Sequence, residues 1–134
     1  MAKHNEIGKI GEQIAENWLI QKGFTIVERN YLRKWGEIDI VSCETTGKIH
    51  FVEVKTVSYE TKAYLEYAVS CGIWRPEENV HRDKQQRLSR AIQTWLLDHK
   101  YNGEWQIDII AIRMVPREKY CLVKYMDNVI FDFD

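Results

Sequence analysis

Disulfide chemistry is the first thing this sequence lacks. Its 3 cysteines, Cys43, Cys71 and Cys121, are odd in number and widely spaced. That fits neither a disulfide framework nor a zinc site, and a reducing cytoplasm is the expected home. No window approaches the ~18 consecutive apolar residues of a transmembrane helix, so no membrane span is expected. Residues 1–6 contain no apolar h-region, so no secretory signal is expected. An excess of one charge is missing too: 19 Lys and Arg stand against 20 Asp and Glu. Bulk charge therefore cannot drive tight, unspecific nucleic-acid binding, although a local basic patch can. There is no internal repeat, low-complexity tract or interdomain linker. Residues 1–134 are expected to form a single domain, long enough for a real core.

What is present centres on residues 36–56. Two apolar runs there flank Glu44, Thr45, Thr46, Gly47 and Lys48, which read as a turn. The pattern predicts a β-hairpin. Side chains alternate along a strand, so Asp39 points opposite to Ile38 and Ile40, while Glu53 and Lys55 share one face of the next strand. A hairpin centred near Thr46 puts Asp39 across from Glu53 and Glu37 across from Lys55. Directly opposite residues have Cβ atoms about 4.5–5.5 Å apart. Two carboxylates at about 5 Å repel by roughly 3 kcal/mol at an effective dielectric near 20. A divalent cation between them removes the conflict, because hard cations take carboxylate oxygens. Lys55, two residues beyond Glu53, is then placed to orient or deprotonate a water, an arrangement suited to phosphodiester hydrolysis. The competing reading is an exposed strand face of mixed charge.

The rest of the chain is read around this hairpin. Ile7, Ile10, Ile14, Ala15, Trp18 and Leu19 predict an amphipathic helix over 5–22, with Asn5 as N-cap and Gly23 just past the end. Gly8 and Gly11 lie inside it, which suggests close approach of a backbone or a ligand. Glu12, at the edge of the apolar stripe, can lean toward the sheet or stay solvated. Residues 24–28 read as a strand. Residues 30–35, with Arg29 before them, interleave Arg33 and Lys34 with Tyr31 and Trp35. That mixture suits phosphate contact with base or sugar stacking, or else a connector whose aromatics fold onto the core.

Residues 57–79 are the least readable. Residues 63–69 fit a helical turn or a short strand, Pro76 breaks what precedes it, and the stretch reads as a substrate flap or a packed loop. A second helix is expected over 81–100, with Leu88, Ala91, Ile92, Trp95 and Leu96 buried. Its first half carries His81, Arg82, Lys84, Arg87 and Arg90, a surface fit for a phosphate backbone or simply for solvent. Gln85 and Gln86 reach the hairpin if the helix N-terminus points there. Residues 105–115 form a strongly apolar strand ended by Pro116, with Asp108 facing either the helix layer or solvent. Residues 120–125 form another strand, and residues 127–134 pack along an edge.

The order is helix, three strands, helix, two strands. It predicts an α/β sandwich with a mixed central sheet and the second helix as a right-handed crossover. Glu12, Asp39 and the pair Glu53 and Lys55 resemble the PD-(D/E)XK nuclease superfamily, whose restriction endonuclease-like core runs α-β-β-β-α-β. Gly11–Glu12, Asn30, residues 36–41, residues 51–56 and residues 84–88 resemble the YraN family, which is classed as endonuclease-like and is similar to archaeal Holliday-junction resolvases. Val57 stands where the family commonly has a basic residue, and the stretch between Thr56 and Val80 is longer than usual.

The resemblance implies a Mg²⁺ or Mn²⁺ site made by Asp39, Glu53 and the Val54 carbonyl. Glu12 lies nearby, Lys55 stands at the water, and Gln85 joins the catalytic group. Arg33, Lys34, Trp35, Lys84 and Arg87 are the expected nucleic-acid contacts. The expected activity is a metal-dependent DNA endonuclease, with branched DNA as candidate substrate and a homodimer as candidate assembly. The alternatives are a non-catalytic nucleic-acid-binding module with the same fold, and a protein-interaction domain built on the many tyrosines and tryptophans.

Overall fold

The computed structural model describes residues 2–72 and 82–131, with side chains from residue 6 onward. Helix α1 spans Ala2–Gln21. It is followed by β1 (Thr25–Arg33), β2 (Gly36–Cys43), β3 (Ile49–Ser58), α2 (Lys62–Cys71), α3 (Arg82–Asp98), β4 (Trp105–Val115), a 3₁₀ turn (Pro116–Glu118) and β5 (Tyr120–Met126). The five strands lie side by side in chain order. β3 and β4 are parallel and the other neighbours antiparallel. A parallel pair needs a crossover, and α2 and α3 supply it. The result is the mixed α/β architecture the element order predicts. No described helix is long and apolar enough to cross a membrane.

Each face of the sheet carries its own core. Tyr31, Ile38, Val41, Ile49 and Phe51 pack against Leu88, Ala91, Ile92 and Trp95 of α3. Ile40, Val52, Val54, Ile110, Ile112 and Met114 pack against Ala15 and Leu19 of α1. β4 is buried on both faces, which explains its nearly unbroken apolar run.

Several boundaries differ from the expectation. α1 starts at Ala2, so Asn5 lies within the helix and is not its cap. Gly23 does close it, with the Phe24 N–H donating to the Leu19 carbonyl. β1 runs on to Arg33, so the basic and aromatic residues of 30–33 are strand, and Lys34 and Trp35 form a two-residue turn between the paired Arg33 and Gly36. Tyr31 is buried in the core. Residues 63–69 are helical, as part of α2, which Thr61 caps by accepting from the Tyr64 N–H. His81, Trp74 and Pro76 lie outside the described residues.

The β1–β2 ribbon is kinked. Arg29 pairs with Ile40, and both face α1; Tyr31 pairs with Ile38, and both face α3. Residues two apart on a regular strand share a face. The reversal is made at Asn30, whose φ of +53° is left-handed, a conformation asparagine tolerates better than most residues. Asp39 sits opposite this kink.

β2 also meets α3 without a spacer. A Cβ built on Gly36 would lie 2.1 Å from the Arg87 carbonyl oxygen, a backbone atom that cannot rotate away. Gly36→Ala is therefore expected to push α3 off β2 and to cost about 1–3 kcal/mol, the range for overpacking. Chemical denaturation measures it; a midpoint within error of wild type would mean the helix shifts freely.

Candidate functional site

The β2–β3 register matches the hairpin expected from the sequence: Ile40 pairs with Val52, Val41 with Phe51, Ser42 with His50 and Cys43 with Ile49. One step further brings Asp39 opposite Glu53, and there the regular ladder stops. The Val54 N–H donates instead to Asp39 Oδ2, at 2.8 Å. A side-chain carboxylate has taken a backbone acceptor's place, and the two strands part around it.

Both carboxylates are nearly inaccessible, Asp39 at 7% and Glu53 at 1%. Burial, then the charge of Glu53, holds the Asp39 carboxyl well above its ordinary range, and the Val54 N–H only partly offsets this. Glu53 is raised too, chiefly by burial, although Lys84 and Lys55 pull it down. Glu53 Oε1 is buried and has no hydrogen-bond partner. An orphaned carboxylate oxygen beside a second buried carboxylate fits a hard cation, which would relieve the desolvation and the repulsion together. Among the described residues no group of three or more His, Cys, Asp and Glu side chains is placed to hold a metal ion. Two carboxylates would therefore have to be joined by a backbone carbonyl, such as that of Val54, and by water.

Two ammonium groups face the other oxygen. Lys55 Nζ is 4.0 Å and Lys84 Nζ 3.5 Å from Glu53 Oε2. Lys84 also lies 3.7 Å from Glu37 Oε1. Lys84, expected at a phosphate, is thus directed into the carboxylate site, and Glu37 is met by Lys84 where the strands diverge. Gln85 and Gln86 follow on the same first turn of α3, half-buried.

Glu12 leans inward from α1. Its Oε1 accepts from Arg29 at 3.4 Å, while Arg29 also binds Glu16 at 2.7 Å. Glu12 lines a cavity of about 530 Å³ with Ile7, Gly8, Val54, Lys55 and Thr56. Gly11 explains the approach: a Cβ there would overlap Thr56 Oγ1 at 2.0 Å. Gly8 has open space instead.

The remaining expected contacts scatter over the β1–β2 turn and α3. Arg33 is held by Asp98 at 3.1 Å and stacks over Tyr31, whose hydroxyl donates to the same carboxylate. Lys34 is exposed at the turn. Trp35 is half-exposed, its indole N–H donating to Thr94 Oγ1, and Arg87 is exposed on α3.

A second polar cluster lies on the α1 face of the sheet. His50 Nδ1 is 2.6 Å from Asp108 Oδ2, and its Nε2 faces Glu44. Asp108, fully buried, also accepts from Gln106, the Tyr125 hydroxyl and the Asn128 N–H. Asp108 therefore faces the helix layer. The signal in the sequence is one polar residue within each of two apolar runs, His50 between Ile49 and Phe51, and Asp108 between Ile107 and Ile109.

Residues 11–112 match the model of a family described as uncharacterised protein family UPF0102. A UPF0102 protein of Alkaliphilus oremlandii is 34% identical over 128 residues, covering 93% of this chain and 97% of that protein. One from Campylobacter fetus subsp. fetus is 34% identical over 123 residues, 90% of each chain. One from Flavobacterium psychrophilum is 29% identical over 133 residues, 99% of this chain and all of its own length.

Proposed function

The chain belongs to family UPF0102, the YraN-like family its motifs resemble, and we propose that it is a metal-dependent DNA endonuclease of the PD-(D/E)XK kind, with a restriction endonuclease-like core. The observation that carries this reading is the buried Asp39–Glu53 pair with an orphaned oxygen, flanked by Lys55.

Asp39, Glu53 and the Val54 carbonyl would hold Mg²⁺ or Mn²⁺. When bound, the cation supplies Lewis-acid stabilisation of charge on the phosphoryl group. Lys55 aims its ammonium at the same place, where it orients the attacking water or meets developing negative charge. Glu12 approaches the site from α1, where it lines the cavity beside Lys55, and Gln85 is the α3 residue assigned to the catalytic group. Arg33, Lys34, Trp35 and Arg87 meet the DNA backbone and bases. Branched DNA is the candidate substrate, a homodimer the candidate assembly and the cytoplasm the expected location.

A panel of duplex, nicked, single-stranded and four-way DNA, incubated with Mg²⁺ or Mn²⁺, tests the activity. Cleavage of at least one member is expected, abolished by Asp39→Asn. No cleavage of any member, or equal cleavage by Asp39→Asn, would overturn it. The Lys84–Glu53 ion pair favours a second reading, a non-catalytic DNA-binding module whose site is already neutralised. Salt-dependent DNA binding without cleavage is its signature.

A further inference from the structure

The reading of Asp39 and Glu53 as a cation site leaves Lys84 unexplained. A lysine expected at the DNA surface instead sends its ammonium between a buried carboxylate and a half-exposed one: 3.5 Å from Glu53 Oε2 and 3.7 Å from Glu37 Oε1. Glu37 precedes Asp39 by two residues on β2, and Lys84 comes from the first turn of α3. Glu53 is 1% exposed, so any negative charge on it needs a counter-ion within reach. Lys55 reaches it only at 4.0 Å. Lysine suits a removable counter-ion, because its compact charge rides on a flexible four-carbon stem, whereas an arginine fork would grip the carboxylate in two places.

We infer that Lys84 is a built-in stand-in for the divalent cation: its ammonium holds Glu53 in the metal-free protein and withdraws toward Glu37 when the cation enters. Lys84 and the metal thus compete for Glu53, and Glu37 is the acceptor that keeps the displaced ammonium nearby. The inference rests on the metal reading of the site, and deepens it by naming what controls metal entry. It also accounts for a lone cation on α3 that points inward while Arg82, Arg87 and Arg90 on the same helix are exposed.

Titration of Mn²⁺ into the full chain by calorimetry tests this, with no DNA present. Lys84→Met should bind Mn²⁺ on the order of 10-fold more tightly, the scale of one charge-assisted contact no longer broken. Glu37→Gln should weaken binding in the wild-type background, where Lys84 loses its alternative acceptor, and should change little in the Lys84→Met background. Should Lys84→Met fail to fold, Lys84→Arg supplies the readout: a retained charge with a firmer grip should lower Mn²⁺ affinity. Equal or weaker binding by Lys84→Met, with Glu37→Gln acting alike in both backgrounds, would overturn the competition alone. In the arginine arm, affinity equal to or above wild type does the same. Mn²⁺ heat absent from wild type and from every variant removes the cation site itself, and the proposed function with it. Heat absent from wild type but present in Lys84→Met supports the inference in its strongest form.

Discussion

Lys55→Ala is expected to lose about 10²–10⁴-fold in single-turnover cleavage while its Mn²⁺ and DNA affinities stay within a few-fold of wild type. The loss corresponds to about 3–5 kcal/mol of transition-state stabilisation. Lys55 is half-buried on β3, on the face of the sheet that Glu53 uses, and its ammonium lies at the outer limit of an ion pair with that carboxylate. A group so placed contributes less than Lys84 to neutralising Glu53, because Lys84 is closer, and a cation would be closer still. Its remaining role is at the reacting water or phosphoryl group. That role appears in the turnover rate and is nearly silent in binding. Calorimetry and single-turnover kinetics on the same variant separate the two. A Lys55→Ala protein that cleaves near the wild-type rate, or whose Mn²⁺ affinity changes in place of its rate, ends the assignment.

The Asp39–Glu53 juxtaposition was legible because it needs only the turn position; the strict alternation expected around Asp39 does not hold, since Ile38 faces α3 and Ile40 faces α1. Ile40 pairing with Val52 is the register that a turn centred near Thr46 requires, and a slip by one residue would exchange the side chains that fill the α3 core with those that fill the α1 core. Trp105–Val115 was legible for a related reason: a nearly unbroken apolar run of this length is best buried inside a sheet.

What stayed hidden depends on where long side chains go. Arg33, Lys84 and Arg87 look alike in sequence, yet one pairs with Asp98, one enters the carboxylate site and one is exposed. Helix periodicity fixes the face a residue leaves from, not the partner that a four-carbon stem finds. The kink at Asn30 was equally invisible, because a left-handed residue within a strand breaks the alternation on which the reading depends. Residues 30–33 resembled a connector for the same reason, and the strand continues through them.

Asp108→Ala is expected to lower stability by about 3–5 kcal/mol, the range for removing one partner of a buried ion pair. In a chain of this length that is a fall in melting temperature on the order of 10–20 °C. The reason is the geometry around His50. Both ring nitrogens face carboxylates, Asp108 at Nδ1 and Glu44 at Nε2, and ionised carboxylates can only accept. The doubly protonated imidazolium alone satisfies both. Burial opposes that charge, but the hydrogen bonds that the imidazolium donates to Asp108 and Glu44 outweigh it and raise the His50 pKa. For Asp108, burial is outweighed in turn by His50, Tyr125, Gln106 and the Asn128 N–H, and its carboxyl lies below the ordinary value.

The linkage has two signs. The raised His50 contributes stability that is complete below its unfolded pKa and is lost as pH rises through its folded one. The depressed Asp108 contributes stability that is present above its unfolded pKa and is lost as pH falls through its folded one. The cluster is therefore strongest between roughly pH 4 and 6.5 and fades on either side. Thermal unfolding of wild type and Asp108→Ala across pH 3 to 9 measures it: the gap between the two curves should be widest inside that window and narrow toward both ends. A gap that stays constant across the range would mean Asp108 acts through packing and neutral hydrogen bonds, with His50 uncharged beside it.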